Sequence, residues 1–307
     1  MISVIIPAKN EAVTLWFTVH AIRMEMERDP VEPWEIVVVD NVSTDSTKAF
    51  LEDWAIKPWV RRVEAHADIS GPGPVRNVGA TAAQGEILVF MDAHVLPSPG
   101  FFRQIRHTMH QEIWDKVGSL HYPIGWNGFD RGAFSTNYEL RLERDFWGDN
   151  RTGNYRTLTE IGAHGHGCVA MRRDHFIEVG GYHPGQAGYG GDESYMDLKF
   201  AMFGFHNYSD PSGYYLHCSQ RHMNYTWNNQ DVIRNHMISA YTLGGLPWLE
   251  KVYAYQLAKG YVPEHELTPA REMALSAGRA DRDWIAAHAR HTLDEVLADF
   301  KTRGVPH

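Results

Sequence analysis

The sequence predicts an α/β fold in which helices flank a mixed sheet and a helical extension follows. Three observations support this prediction. Over the first 228 residues, short β-branched runs alternate with amphipathic segments, and several of the runs end in polar or acidic residues. Beyond Asn228 the patterns are helical alone. We therefore divide the chain into a sheet-containing domain at residues 1–228 and a helical extension at residues 229–307 packed on it.

The first part of the chain predicts a repeating order of strands and helices. Apolar runs at residues 2–6 and 35–39 are typical of buried strands. Between them, Asn10 can cap a helix whose apolar positions are spaced four, three and four residues apart, namely Leu15, Val19, Ile22 and Met26. The next elements are a helix through Phe50, Leu51 and Trp54, a strand at 59–65, a helix from Pro74 to Gly85 and a strand at 87–91. This order predicts parallel strands joined by right-handed crossovers.

The rest of the chain predicts further strands, one long loop and the helices of the extension. Ser98 and Pro99 form an N-cap and first-turn pair for a helix with the apolar residues Phe102, Ile105, Met109 and Ile113. Strands are predicted at 117–124, 168–171 and 214–218, and helices at 174–179 and 193–203. Residues 125–165 lack periodicity, and a loop of that length is typical of a functional segment. The extension is predicted to hold helices at 231–243, 248–259, 269–277 and 281–301.

Composition limits the class of protein. With 307 residues, of which 43% are hydrophobic and 22% charged, the chain can bury a substantial core. No apolar run approaches the roughly 20 residues of a bilayer span, and the N-terminus lacks the basic region of a signal peptide. The two cysteines, Cys168 and Cys218, form no disulfide framework, which predicts a cytoplasmic protein. The formal charge of −9 argues against a nonspecific binder of polyanions.

Asp92 and His94 directly follow the predicted strand at residues 87–91. In an open α/β sheet, ligands bind at the carboxyl ends of the strands. Residues two positions apart in an extended chain share a face, and a carboxylate and an imidazole both bind divalent cations. The sequence therefore predicts a metal site at the end of this strand.

Four segments match a known family in the same order along the chain. They are VIIPAKNE at residues 4–11, VVVDNVSTDST at 37–47, RNVGATAAQGEILVFMDAH at 76–94 and GGYHPGQAGYGGDESYMDLKFAMFGF at 180–205. Together they resemble the family 2 glycosyltransferases with the GT-A fold, over roughly residues 3–225. The resemblance implies a donor half at about residues 1–95 and an acceptor half at about residues 96–228. It also implies an enzyme that moves a hexose-type sugar from a nucleoside diphosphate sugar, expected to be a uridine diphosphate sugar, to a hydroxyl acceptor.

The resemblance implies which residues hold the donor. In such enzymes the ends of the first two strands hold the nucleoside, and the corresponding residues here are Pro7, Ala8, Asn10, Glu11 and Asp40. Arg76 resembles the basic residue near the donor diphosphate, and Asn77 belongs to the same loop. Two questions stay open: Asp40 could cap the following helix, and Arg76 could be a solvated surface arginine.

Asp92, Ala93 and His94 occupy the position of the family's metal-binding motif, and Asp92 and Ala93 are also expected to contact the donor. A histidine in the third place is similar to the polypeptide N-acetylgalactosaminyltransferases, in which a later histidine completes the protein ligands. His217 is the expected counterpart, with His222 as its rival and an ordinary half-buried histidine as the alternative. The cation implied is Mn²⁺ or Mg²⁺, which would offset charge on the departing nucleoside diphosphate.

Asp192 and Glu193 correspond to the pair of acids that includes the family's catalytic base. Which of the two is the base stays open at this point. Stereochemistry also stays open, because family 2 implies inversion at the anomeric carbon whereas the histidine at position 94 implies retention. Capping of a helix could explain one of the acids but does not easily explain both.

The acceptor and the oligomeric state stay open as well. His164 and His166, in a glycine-rich loop, could touch an acceptor or be structural, and three tryptophans could stack on it: Trp126, Trp147 and Trp227. The acceptor could be a saccharide, a small molecule, a protein or a modified nucleic-acid base, the last facing Arg131, Arg141, Arg144, Arg151 and Arg156. Nucleotidyl transfer and an inactive transferase-like binding module are two competing hypotheses for the function, although the acids expected of a transferase are all present.

Overall fold

The computed structural model describes residues 1–28, 33–53, 59–127, 137–141, 146–151, 155–218, 228–260 and 262–307. The strands in these ranges are β1 Ile2–Ala8, β2 Trp34–Asp40, β3 Val60–Glu64, β4 Ile87–Met91, β5 Val95–Pro97, β6 Val117–His121, β7 Ile124–Asn127, β8 Asn137–Arg141, β9 Trp147–Arg151, β10 Thr159–Ile161, β11 Cys168–Arg172, β12 His206–Ser209 and β13 Tyr215–His217. The helices are α1 Ala12–Arg28, α2 Thr47–Leu51, α3 Pro72–Ala82, α4 Phe101–Thr108, α5 Arg173–Glu178, α6 Asp192–Met202, α7 Asn229–Lys259, α8 Glu264–Ala277, α9 Arg279–His288 and α10 Leu293–Arg303. Helix α4 continues into a π-helical turn at Met109–Ile113.

The main sheet has eight strands in the order β10-β12-β6-β11-β4-β1-β2-β3. Strand β1 pairs in parallel with β2 and β4, and β2 pairs in parallel with β3. Strand β11 is antiparallel to β4 and β6, so the sheet is mixed. The predicted parallel arrangement of the first strands is confirmed, and it brings the carboxyl ends of β1, β2 and β4 to one edge of the sheet.

Alternate residues of the central strands enter separate cores on the two faces of the sheet. On one face, Val4 and Ile6 pack with the apolar stripe of α1 that the sequence predicts. On the other face, Ile5 joins a core formed with α3, α6 and the C-terminal helices. Helix α3 lies so close to β1 that a Cβ atom on Gly79 would stand 2.3 Å from Ile5 Cγ2. Helices therefore cover both faces, which explains the continuous apolar runs of the central strands.

A second sheet of three strands, in the order β5-β13-β7, lies beside the main one. Strand β13 is antiparallel to β5, with His217 opposite Val95 in the register. The amide of Cys218 donates to the carbonyl of His94 over 2.8 Å. This pairing brings the segment that contains His217 beside the end of β4.

Two predicted elements are each divided in the structure. The single strand predicted at 117–124 is wrong, because β6 and β7 lie in different sheets with Pro123 between them, where a ladder donor is missing. The single helix predicted at 281–301 is also wrong. Helix α9 ends before Ala289, which is extended, and a capping box of Thr292 and Glu295 starts α10.

Further corrections concern short strands and a helix start. The segment predicted as a loop at 125–165 contains β8, β9 and β10 as well as most of β7, and β5 and β12 were not predicted. Helix α4 starts at Phe101, not at Pro99, because Ser98 Oγ accepts the amide of Tyr214 and does not cap the helix. Trp54, predicted in the second helix, lies outside the described residues.

The C-terminal helices share the core on one face of the main sheet. The two helices predicted at 231–243 and 248–259 are confirmed as the halves of α7, which is kinked at Gly245 with φ 75°. Across the described ranges, no helix combines the length and the apolar character that crossing a bilayer requires.

Candidate active site

The structure brings Asp92, His94 and His217 together at the end of β4. Candidate ligand atoms of the three side chains all lie within 4.8 Å of one another. Nε2 of His217 is 3.7 Å from Oδ2 of Asp92. The two imidazole rings meet edge to face with their centroids 4.9 Å apart. All three side chains are partly exposed, so a ligand can reach this cluster, which we call the cation corner.

Two carboxylates, those of Asp92 and Glu11, contribute negative charge around the cation corner. Burial raises the pKa of Asp92, but the nearby imidazole of His217 and the charges of Arg76 and His94 lower it to about 2. Burial opposes protonation of His94, yet Glu11, whose Oε1 is 3.3 Å from Nδ1, raises the pKa of that imidazole. Asp92 is therefore ionised at neutral pH, and the carboxylate of Glu11 lies beside His94.

The donor set suits a divalent transition ion. One carboxylate and two imidazoles make a mixed oxygen and nitrogen set, and Mg²⁺ prefers oxygen ligands alone. Nδ1 of His217 is a buried nitrogen with no hydrogen-bond partner in the described structure, so that ring is not fixed by bonds through both nitrogens. The three residues present fit Mn²⁺ better than Mg²⁺.

Arg76 lies behind the cation corner and joins it to the start of α6. Its side chain is 3% exposed, so the alternative of a solvated surface arginine is wrong. Nη1 donates to Asp192 Oδ2 over 2.7 Å, and Nη2 donates to Asp92 Oδ1 over 3.0 Å and to the carbonyl of His166 over 2.9 Å. Its terminal nitrogens thus bind protein groups, and its expected place near the donor diphosphate stays a prediction of the family resemblance.

The two candidate acids have different surroundings. Gly190 and Gly191, with φ of 84° and 85°, turn the chain into α6, whose first two residues are Asp192 and Glu193. Asp192 is buried against Arg76, whereas Glu193 is half-buried and its Oε1 accepts the amide of His166 over 2.9 Å. Glu193 is therefore the more accessible acid of the pair.

The predicted nucleoside residues meet at the ends of β1 and β2. Oδ1 of Asp40 accepts the amide of Ser43 over 3.0 Å, so part of the capping alternative is realised. Oδ2 is buried without a hydrogen-bond partner in the described structure, and Nη2 of Arg62 lies 3.8 Å from it. Pro7 pairs with Val39, and Ala8 pairs with Asp40, in the parallel ladder. Oδ2 of Asp40 therefore lacks a hydrogen-bond donor in the described structure and has only the charge of Arg62 nearby.

Asn10, Asn77 and Ala93 mainly organise the backbone. Asn10, with φ 57°, accepts the amide of Thr44 over 2.7 Å, so it does not cap α1 as predicted. The amide group of Asn77 both donates to and accepts from the backbone of Tyr182, at 2.8 and 2.9 Å. The carbonyl of Ala93 accepts the hydroxyl of Thr18 over 3.0 Å. Glu11 was predicted near the nucleoside, but its carboxylate lies beside His94.

His164 and His166 are both fully buried, so the hypothesis that they touch an acceptor is wrong. Together with His121 and Asp197 they form a second polar cluster beneath the site. The carboxylate of Asp197 accepts hydrogen bonds from the three histidines of this cluster and from Ser119. The donors are Ser119 Oγ at 2.7 Å, the amide of His164 at 2.9 Å, His166 Nε2 at 3.2 Å and His121 Nε2 at 3.3 Å. Such a carboxylate is satisfied by hydrogen bonds and needs no cation. Sequence patterns gave no indication of the roles of Asp197 and Tyr182.

Several predicted residues fall where the structure gives no side chain. His222, the rival metal ligand, and Trp227 lie outside the described residues, as do Arg131 and Arg144. The backbone is described, but not the side chain, for Trp126, Trp147, Arg141 and Arg151. Arg156 is exposed.

Comparison with known proteins extends these observations. Residues 3–180 match the family described as Glycosyl transferase family 2. The chain is 27% identical over 223 residues to N-acetylgalactosaminyltransferase 7 of Drosophila melanogaster, which covers 66% of this chain and 36% of that protein. The chain thus spans about a third of the length of that relative.

Solved structures show the same fold. A structure of GalNAc-T7 with UDP, GalNAc and Mn²⁺ superposes with a TM-score of 0.72 at 16% identity, covering 98% of this chain and 56% of that one. Staphylococcus aureus TarS in complex with UDP-GlcNAc superposes with a TM-score of 0.59 at 15% identity, covering 92% and 83%. The central sheet and the helices around it are therefore those of GT-A proteins.

Proposed function

The chain is a member of glycosyl transferase family 2, and from this premise we propose that it moves a sugar from a nucleoside diphosphate sugar to a hydroxyl group of an acceptor. The observation that carries the proposal is the convergence of Asp92, His94 and His217 at the carboxyl end of β4. Substrates of open α/β proteins bind at that edge of the sheet. The half-buried acid Glu193 lies in the first turn of a helix that Arg76 joins to the same corner.

Asp92, His94 and His217 would hold a divalent cation, for which we propose Mn²⁺. When bound, such a cation offsets the negative charge that develops on the nucleoside diphosphate as it departs. Arg76 keeps Asp92 oriented by a 3.0 Å hydrogen bond, and Glu11 orients His94. Electrostatic preorganisation of this kind avoids reorienting groups during the reaction.

Asp40 is proposed to recognise the nucleobase. Its Oδ2 can accept one N–H donor, and uracil offers one at its ring nitrogen. A buried acceptor without a partner is costly, so a base that supplies the donor gains binding energy. A uridine diphosphate sugar as donor agrees with the UDP bound in the GalNAc-T7 structure.

We expect Asp40→Asn to weaken UDP binding by about 10–100-fold, because a hydrogen bond to a charged acceptor is lost. Asparagine keeps an Oδ1 atom to accept the Ser43 amide, so the local turn is preserved. Isothermal titration calorimetry with UDP in the presence of Mn²⁺ measures the effect, with the exposed Asp53→Asn as a control. Unchanged affinity for UDP in Asp40→Asn would contradict base recognition and would leave Asp40 only its role in the turn.

Of the two acids, we propose Glu193 as the general base that takes the proton of the acceptor hydroxyl. Asp192 is neutralised by Arg76 at 2.7 Å and is buried, so it holds the start of α6 in place. Glu193 is half-buried, and the His166 amide binds Oε1, one of its two carboxylate oxygens. A base beside the acceptor supports a single displacement at the anomeric carbon, hence inversion.

The proposed reaction is tested by slow hydrolysis of donors, which requires no acceptor. We expect one or more UDP sugars to release UDP when Mn²⁺ is present, and release to stop when the metal is chelated. Screening uridine, guanosine and adenosine diphosphate sugars in parallel identifies the donor. A parallel assay with nucleoside triphosphates and sugar 1-phosphates tests nucleotidyl transfer, which would release pyrophosphate from the triphosphate. No reaction in either assay would favour a binding module.

Further parts of the proposal concern organisation and location. We propose that residues 1–228 form the transferase domain and residues 229–307 an extension that completes it, which the side chain of Asn228 capping α7 supports. The two cysteines are free thiols, and this is consistent with a cytoplasmic location.

A further inference from the structure

His166 has hydrogen bonds through both its backbone and its ring. Its amide donates to Glu193 Oε1 over 2.9 Å, and its carbonyl accepts Nη2 of Arg76 over 2.9 Å. Nδ1 of the ring is 2.9 Å from the hydroxyl of Tyr182, and Nε2 is 3.2 Å from Oδ1 of Asp197. The side chain is fully buried, so its two ring bonds do not compete with solvent.

Helix α6 holds this residue at two points. Glu193 and Asp197 are four positions apart, so they lie on the same face of the helix. Glu193 binds the backbone amide of His166, and Asp197 binds its ring. Because Asp197 is itself fixed by Ser119 and by the amide of His164, the ring has a defined position.

The same peptide segment also reaches the cation corner. Arg76 bonds to the carbonyl of His166 and to Asp92, so a shift of this carbonyl would be transmitted to Asp92. The amide of Asp92 donates to the carbonyl of Gly167, the next residue, over 3.0 Å. Residues 166 and 167 therefore connect Glu193 on one side with Asp92 on the other.

We propose that His166 is a positioning residue for sugar transfer: its ring, held between Tyr182 and Asp197, sets the orientation of Glu193 and keeps it in register with the cation corner. The inference rests on the proposed function, in which Glu193 is the base. His166 itself touches no substrate. Misplacement of reacting groups by about 1 Å costs on the order of 10²-fold in rate, so a buried ring can matter for catalysis.

We test this with three variants of the full chain. His166→Ala removes both ring bonds, His166→Gln restores a terminal N–H near Asp197, and Tyr182→Phe removes a single hydroxyl and preserves the packing. We expect His166→Ala to lower kcat by about 10–100-fold with the donor KM nearly unchanged. His166→Gln should recover most of the loss, and Tyr182→Phe should lower kcat by about 2–10-fold.

The matched control is His164→Ala, which removes an equally buried ring from the same loop. The amide of His164 that binds Asp197 is retained in this variant. We expect a similar fall in melting temperature from His164→Ala and His166→Ala, but a much smaller loss of kcat from His164→Ala. Equal losses of kcat would mean that burial alone matters and would overturn the proposal.

A double-mutant cycle separates positioning from general damage. If His166 acts through Glu193, then His166→Ala should have little further effect on kcat once Glu193→Gln is present. If the fold-losses of kcat in the two single variants instead multiply in the double variant, His166 does not act through Glu193 and the positioning role is contradicted.

Hydrogen exchange of the backbone amides provides a readout that needs no activity. In His166→Ala the amide of residue 166 should exchange faster, whereas the amide of residue 164 stays protected by Asp197. Unchanged protection at residue 166 would contradict the proposal whatever the reaction. If protection at residue 166 falls as expected while the native protein hydrolyses no donor, that result would overturn the proposed function but would still support the positioning of Glu193 by His166.

Discussion

Asp92→Asn and His217→Ala are each expected to lower the rate of sugar transfer on the order of 10³-fold, because the first removes the negative charge of the cation corner and the second removes one of its imidazoles. Asp92 is the only carboxylate among the three proposed ligands, and its pKa of about 2 keeps it ionised at every working pH. Asparagine has nearly the same shape, so the variant changes charge with little change in packing. Initial rates at several Mn²⁺ concentrations measure the effect.

The surface pair His66 and Asp68 provides matched controls. Both side chains are about four-fifths exposed and contact each other, so His66→Ala and Asp68→Asn make the same chemical changes outside the three proposed ligands. We expect both controls to keep the native rate of sugar transfer and the native affinity for Mn²⁺, whereas Asp92→Asn and His217→Ala lose Mn²⁺ binding. Electron paramagnetic resonance measures the bound Mn²⁺. Native Mn²⁺ affinity in Asp92→Asn would show that the cation binds elsewhere.

Glu193→Gln is expected to lower kcat by about 10²–10⁴-fold, the usual contribution of general-base catalysis. Glutamine keeps an oxygen that can accept the His166 amide, so the loop should stay in place. Donor affinity and slow donor hydrolysis should change much less than transfer to the acceptor. Steady-state kinetics with acceptor, together with UDP binding by calorimetry, separate these quantities.

Asp192→Asn distinguishes the two acids. It breaks a buried ion pair with Arg76, so we expect the free energy of unfolding to fall by about 3–5 kcal/mol, seen as a lower melting temperature.

The anomeric configuration of the product, determined by NMR, tests the role of Glu193 in a second way, and we expect inversion. A retained configuration would remove the role of base from Glu193 and assign the residue to holding the sugar.

The cation corner could be predicted in part because its signals are local. Asp92 and His94 follow an apolar strand directly, and the position of such residues at a sheet edge depends only on the strand order. His217 is more than 120 residues away, and only the resemblance to a family indicated it. Its position depends on pairing between β13, which lies within the strand predicted at 214–218, and β5, a strand of three residues with too little periodicity to be recognised.

Burial explains most of the errors in the prediction of the site. A loop of alternating glycines and histidines resembles an exposed, adaptable segment, yet His164 and His166 are packed under α6. A solvated Arg76 is one of the two alternatives that the sequence leaves open, because arginine is rarely buried without partners. Its burial depends on Asp92 and Asp192, which lie 16 and 116 positions away. Such distant partners cannot be recognised from spacing in one sequence.

The fold was predictable where periodicity is long. The stripe on α1 and the apolar runs of β1, β2 and β4 have enough residues to identify both the element and its buried face. The errors fall at strands of three to five residues and at helix boundaries, where a single contact decides the outcome. Ser98 is one example, since its hydroxyl accepts the amide of a residue 116 positions away and not one from its own helix.

The most direct measurement is a crystal of this protein soaked with Mn²⁺ and UDP, with the metal located by its anomalous scattering. We expect one manganese ion bound to Asp92, His94 and His217, with the uracil beside Asp40. Manganese bound among His121, His166 and Asp197, or UDP bound with no metal between Asp92 and His217, would contradict the proposed site.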